Sequence, residues 1–144
     1  MKIKLRLITC LFIFTSACST IKKSSSSYSA AQINNIAWAV ISFKGKPLAA
    51  ADFPNGVPTI IFSMQDGKIS GNDGCNSFLG VAKYSATVIK TGAIASTKMA
   101  CANISFENTF FEVLASPVIA YHLHDNVLRL FVNDAEVMAL KEKE

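Results

Sequence analysis

From Ile33 to the end of the chain the hydrophobic residues recur mainly with a period of two. That alternation points to a fold built from half-buried strands. Ile60, Phe62 and Met64 share one face of a stretch that runs to Asp66-Gly67, a hairpin turn pair leading into Lys68-Ile69-Ser70-Gly71. Ile119, Tyr121 and Leu123 share a face, with Ala120, His122 and His124 on the other. Leu128, Leu130 and Val132 alternate after a turn at Asp125-Asn126, and a strand over residues 136–140 follows Asn133-Asp134, which predicts a C-terminal three-stranded meander. Further strands are expected over Ala37–Phe43, 84–90 and 93–96.

One stretch changes period. Phe106, Phe110, Val113 and Leu114 fall at i, i+4, i+7 and i+8, an apolar helical stripe. Asn103 or Ser105 can cap its start, Glu107 suits the positive end of the dipole, and Pro117 stops its continuation. One helix among about seven short strands gives an antiparallel sheet or open barrel closed by that helix.

The chain has 144 residues, 51% of them hydrophobic and 17% charged. That is room for one ordinary domain, and too apolar a composition for a disordered chain. A net charge of +4 would suggest nucleic acid or an anionic membrane only if it sat on the folded part. Lys2, Lys4 and Arg6 instead precede the apolar run of residues 7–14, and Thr15-Ser16-Ala17-Cys18 follows. A basic start, a short apolar stretch and small residues before a cut are the three parts of a signal peptide, expected over residues 1–17. A buried N-terminal helix, the alternative, has no need of basic residues packed into its first six positions.

Ser16-Ala17-Cys18 resembles the lipobox of bacterial lipoproteins, with Thr15 where leucine is usual. The resemblance implies acylation of Cys18; two or three acyl chains anchor far more firmly than one. The same residues also pass as an ordinary small-x-small cleavage site, which would release the same chain without lipid. Residues 18–32, rich in serine with Lys22 and Lys23, read as a flexible tether. Serine after the cysteine resembles the outer-membrane sorting pattern of diderm bacteria, so the expected location is a lipid-anchored position in the cell envelope, on the outer membrane facing the periplasm. Of the 14 basic residues, three leave with the signal and two lie in the tether, so nine remain against 10 acidic ones. The folded part is near neutral, which withdraws the nucleic-acid reading.

Cys10 leaves with the signal and Cys18 is the lipid site, so Cys75 and Cys101 remain as one pair in an oxidising compartment. A disulfide closing a loop of about 25 residues would contribute roughly 3 kcal/mol in the chain-entropy model. Two small buried hydrophobes without a bond are the alternative.

Gly71-Asn72-Asp73-Gly74-Cys75-Asn76-Ser77-Phe78-Leu79-Gly80 reads as a tight, convoluted loop that permits positive φ at several positions. It lacks the Gly-Lys-Ser/Thr of a phosphate loop. Calcium binding through Asn72, Asp73 and Asn76 is poorly served, because the carboxylates are few and the spacing is not that of an EF-hand. Ala95-Ser96-Thr97-Lys98-Met99-Ala100-Cys101 follows, and then the helix with Glu107 and the Phe110-Phe111 pair.

Gly-x-x-Gly-Cys-Asn-x-Phe-x-Gly, then Ser-Thr-Lys-Met-Ala-Cys, then Glu-x-x-Phe-Phe-x-x-Leu, with Trp38 near the domain start, resembles the META domain of HslJ-like heat-shock lipoproteins over residues 33–144. Tyr84 stands for an aromatic that usually follows the glycine more closely. The resemblance implies an α+β unit, a curved antiparallel sheet approaching an open barrel with one packed helix. It implies no enzyme activity, and neither cofactor nor metal is expected. The family is tied to heat shock, antibiotic tolerance and, in parasites, virulence and secretion; its fold is similar to lipid-binding pilot lipoproteins that escort secretin subunits. On this resemblance Trp38, Gly71, Gly74, Cys75, Asn76, Phe78, Gly80, Ser96, Thr97, Met99, Cys101 and Glu107 are structural motif residues.

Ser96 with Lys98 is the most tempting catalytic pair, but it lacks a base-orienting third group and the Ser-x-x-Lys spacing. His122 and His124 share a strand face and could supply two metal ligands, without a third nearby; the bland reading puts both on the solvated side. Cys75 and Cys101 with those histidines would make a zinc set, which an oxidising compartment opposes. Asn103-Ile104-Ser105 is a glycosylation sequon that a bacterial signal makes irrelevant. Two functions remain. One is an envelope lipoprotein binding a protein partner or supporting envelope integrity under stress, with exposed apolar residues such as Phe131 contributing to the contact. The other is a carrier or pilot-like lipoprotein binding a small apolar ligand in a cavity between sheet and helix, lined by Phe62, Phe78, Phe106, Phe110 and Leu123. Core packing by those five residues is the alternative to the cavity.

Overall fold

The computed structural model of the protein describes residues 30–101 and 104–144. The expected signal peptide, the expected lipid site Cys18, most of the expected tether and the Asn103 cap candidate lie outside the described residues. A 3-10 turn, Ala30–Ile33, precedes nine strands and one helix: β1 (Ala37–Phe43), β2 (Lys46–Pro47), β3 (Thr59–Ser63), β4 (Lys68–Asn72), β5 (Ser77–Tyr84), β6 (Val88–Ser96), α1 (Ile104–Leu114), β7 (Ile119–His124), β8 (Val127–Val132) and β9 (Ala135–Glu142).

The strands form an antiparallel meander from β3 to β9, with β1 beside β3 and the short β2 paired to the end of β1. The sheet does not stay open. β1 also pairs with β9, from Trp38 opposite Glu142 to Phe43 opposite Met138, so eight strands close into a barrel with β2 as an extra strand. This corrects the expected open barrel; the closing pair joins the two ends of the domain, beyond the reach of local patterning. The second join is thin: β6 meets β7 only at Val88 opposite Ala120 and Ile89 opposite Ile119. β7 begins at Ile119, opposite Ile89, and α1, which precedes it in the chain, lies beside the rest of β6.

The tight turns carry the residues that positive φ requires. Asp125 and Asn126 (φ 50° and 59°) and Asn133 and Asp134 (φ 50° and 63°) make the two hairpins of the C-terminal meander. The motif loop is shorter than its glycines suggest, because β4 runs through Asn72 and β5 starts at Ser77. Residues 84–90 are not one strand either: β5 ends at Tyr84, and Ser85 turns the chain by donating its backbone N–H to the Val88 carbonyl at 2.9 Å.

Alternation fills the barrel. Ile60 and Phe62 of β3, Ile69 of β4, Ile89 of β6, Ile119 of β7, Leu128 and Leu130 of β8, and Met138 and Leu140 of β9 are fully buried, together with Ile33, Phe110 and Leu114. Burying a side chain of this size contributes about 1.5–3 kcal/mol. The helix supplies its predicted stripe: Phe110, Val113 and Leu114 are buried and Phe106 is half-buried. Ser105 lies inside the first helical turn, where its carbonyl accepts the Thr109 hydroxyl at 2.9 Å. Phe106 packs on Phe43 and Phe53, each with ring centroids 5.0 Å apart, and Phe110 packs on Phe78 at 5.8 Å.

Candidate functional site

Two neighbouring features meet where β5, β6 and α1 come together. The first is a polar corner built by the turn between β4 and β5. Asp73 Oδ1 accepts the backbone N–H groups of Cys75 (2.8 Å) and Asn76 (2.6 Å), and Asn72 Oδ1 accepts that of Gly74 (2.6 Å). These Asx-type bonds satisfy donors that a tight buried turn would otherwise orphan. Asp73 Oδ2 is buried and has no hydrogen-bond partner among the described residues. Gly74, at φ 96°, lies against the Phe53 ring, where a Cβ would collide. Gly71 of β4 is half-buried and pairs between Ile60 and Phe78, and a Cβ there would strike the Thr59 carbonyl oxygen.

Asn76, fully buried, ties this turn to the chain after β6. Its Oδ1 accepts the Thr97 hydroxyl at 2.9 Å and the Met99 backbone N–H at 2.8 Å, and its Nδ2 lies 3.2 Å from Cys101 Sγ. The Thr97 hydroxyl oxygen in turn accepts the Ser77 backbone N–H at 3.2 Å. Cys75 and Cys101 are joined as a disulfide across the same corner, with Cα atoms 6.2 Å apart. The structure thus brings Gly74, Cys75, Asn76, Thr97, Met99 and Cys101 together. Lys98 links them to the helix, its ammonium 3.4 Å from the buried Glu107 carboxylate. Ser96, Lys98 and Glu107 line the same cleft.

The other motif residues lie elsewhere. Trp38 sits in β1, where its indole N–H donates to the Ile33 carbonyl at 3.2 Å and pins the N-terminal turn to the barrel. Phe78 packs on Phe110 and Phe111, and Gly80 faces inward between Ile69 and Ile94. His122 and His124 are both on the exposed side of β7, and the His124 ring nitrogen reaches the exposed Asp125 carboxylate at 3.0 Å. Phe131 is half-buried beneath the His122 ring, 5.4 Å away, so the apolar exposure expected there is reduced. Leu79 and Val81 of β5 are instead 55% and 56% exposed.

The second feature is a cleft of about 700 Å³ between β6 and α1. Gly92, Ile94, Ala95 and Ser96 line one wall and Glu107, Asn108, Phe111, Glu112 and Ala115 the other, with Lys98 at one end. Sequence reasoning missed this cleft. It also missed Asp73 as the organiser of the turn, although the Asn-Asp-Gly-Cys-Asn run carries that signal.

The family model of the META domain matches residues 31–144. The chain belongs to the META domain family. A solved NMR structure with a TM-score of 0.62 is similar at 28% sequence identity, covering 78% of this chain and 92% of that one. A second NMR structure, of a protein from Burkholderia xenovorans, has a TM-score of 0.57 at 18% identity, covering 78% of this chain and 85% of that one, and shares the fold. A search of curated proteins finds no match. In this META domain the motif residues Gly74, Cys75, Asn76, Thr97, Met99 and Cys101 converge on one clamp between the β4–β5 turn and the chain after β6.

Proposed function

We propose that this META domain protein is a non-enzymatic lipoprotein of the bacterial cell envelope, anchored through Cys18 on the outer membrane facing the periplasm. In this reading its barrel is a partner-binding or structural module in envelope stress tolerance. The observation that carries it is the contrast between inside and outside. Phe62, Phe78, Phe106 and Phe110, residues that would line a carrier's cavity, are packed among the barrel and helix side chains. Leu79 and Val81 stand exposed on the outer face of β5, and Leu79 lies in one outward row with Ile61, Ser70 and Ala95. An apolar outer row on a filled barrel suits contact with a protein better than enclosure of a small ligand. The Asn76 clamp, whose polar groups are engaged with the backbone and a hydroxyl, suits a scaffold better than a reaction centre.

Crosslinking in the intact envelope, with a photoreactive residue at Leu79, tests the module. A discrete crosslinked complex that Val81→Glu removes, with the melting temperature unchanged, is the expected result. Co-purification of a stoichiometric apolar ligand without a crosslinked partner would support the carrier instead. Intact mass of the mature chain tests the anchor: an unmodified Cys18 would contradict it.

A further inference from the structure

The cleft between β6 and α1 is bounded by a strand edge without a strand beside it. β7 begins at Ile119, opposite Ile89, so among the described residues no strand pairs with β6 from Lys90 to Ser96 on that side. The ladder on the other side fixes which groups point into the cleft. The Thr97 backbone N–H donates to the Ser77 carbonyl at 3.0 Å, and Leu79 lies opposite Ala95. In an antiparallel ladder alternate residues bond to opposite neighbours. The N–H and C=O groups of Ile94 and Ser96 therefore face away from β5, toward α1.

Such an edge is a template for another strand, and natural proteins otherwise blunt or cover it. Here the facing helix stands off by the width of the cleft. Its floor is apolar, with Ile94, Phe111 and Ala115, while its helical wall carries Glu107 and Glu112. α1 holds no basic residue, and Lys98, at the end of the cleft, is the one cation among its lining residues. Lys98 is 81% exposed and pairs with Glu107, which leaves Glu112, among the described residues, without an ion-pair partner at the cleft.

We propose that this cleft is a strand-addition site, in which an extended segment of a protein partner pairs antiparallel with Ile94 and Ser96 and lies between β6 and α1. The proposal rests on the partner-binding reading and gives it a place and a chemistry. Main-chain bonds to the β6 edge supply affinity, and alternate side chains supply selectivity. Small or β-branched side chains face Phe111 and Ile94, and a lysine or arginine faces Glu112. Gly92 to Ser96 offers a register of about five residues at about 3.3 Å each.

The test uses the full chain in detergent micelles, titrated with a capped heptapeptide of alternating valine and lysine. Expected are backbone amide shifts centred on Ile94 and Ser96 and at least a tenfold slowing of hydrogen exchange at both. A valine-glutamate analogue binds at least tenfold more weakly, and a proline-centred analogue does not bind. Ser96→Pro removes an edge donor without touching the bond from Thr97 to Ser77 and abolishes binding. Glu112→Lys, exposed and away from the core, weakens binding about tenfold, which keeps the test decisive if the proline variant fails to fold. Unchanged exchange at Ile94 and Ser96, or equal binding of the proline analogue, overturns the proposal. A dimer that Ser96→Pro dissociates also overturns it, in favour of a second copy of this chain as occupant. Crosslinkers in the intact envelope separate the two readings: capture from Leu79 but not from Phe111 would sink the cleft and leave the module standing, whereas capture from neither would sink the module.

Discussion

The barrel has two joins, and they are built differently. Where β1 meets β9 the strands match along nearly their whole length, with Val40, Met138 and Leu140 buried beneath the ladder. Where β6 meets β7 they match at two residue pairs, because β7 begins only at Ile119, and the helix lies where the ladder would continue. Backbone bonds hold the first join. Beyond its two paired residues the second is held by side chains, namely Phe110 and Leu114 from the helix, the Thr91 hydroxyl donating to the Leu114 carbonyl, and the disulfide that holds Cys101 to the β4–β5 turn. The difference teaches that closure and access are separated in this fold: one seam makes the barrel rigid, and the other leaves a strand edge beside a groove.

The comparison is most easily broken through the helix. Phe110→Ala removes a fully buried ring shared by Phe43, Phe78 and Phe106, and a loss of about 4 kcal/mol is expected from denaturant unfolding. A loss below about 1 kcal/mol would mean the barrel stands without its helix. Next comes a matched pair of truncations. Leu140→Ala at the closed seam should cost about 3.5 kcal/mol, whereas Ile94→Ala, half-buried on the open edge, should cost about 1 kcal/mol. Equal losses would erase the contrast. Replacing both Cys75 and Cys101 by serine should cost about 3 kcal/mol, read as a fall in midpoint that a reductant reproduces in the unaltered protein.

The smallest effect is a pH dependence carried by two tyrosines, one of them on β7. The Tyr121 hydroxyl donates to the Ser85 carbonyl at 3.0 Å and that of Tyr84 to the Lys68 carbonyl, and burial pushes both phenols above their ordinary value of 10.0. The folded phenols stay protonated where unfolded ones ionise. Their contribution is therefore complete below about pH 10 and is lost as pH rises through the unfolded value toward the folded ones. Unfolding free energies measured from pH 8 to 12 should fall above pH 10, and less steeply in Tyr84→Phe; identical slopes would remove the tyrosines from the account.

The strands of the C-terminal meander were legible because Ile119, Tyr121 and Leu123 alternate cleanly and paired Asn and Asp residues mark both turns. The helix was legible for the same reason at another period. β5 was partly hidden, since Gly80 faces inward where a large side chain would normally announce the strand. Register shifts between Val40 and Ser42, and between Leu130 and Phe131, break the period locally. The closing pair of β1 with β9 was invisible because its partners lie at opposite ends of the domain, and no local signal encodes such pairing. At the site, the motif named the residues of the clamp. It could not show that Lys98 faces Glu107, or that β6 runs on past the start of β7, because both depend on where the helix comes to rest.

Native-state hydrogen exchange compares the two joins directly. The account predicts that the ladder amides of β1 and β9 exchange only by global unfolding, while the amides of Ile94 and Ser96 exchange at least a hundredfold faster. Equal protection at Ile94, Ser96 and the β1–β9 ladder would contradict an open edge, and with it the division of the barrel into a sealed side and an accessible one.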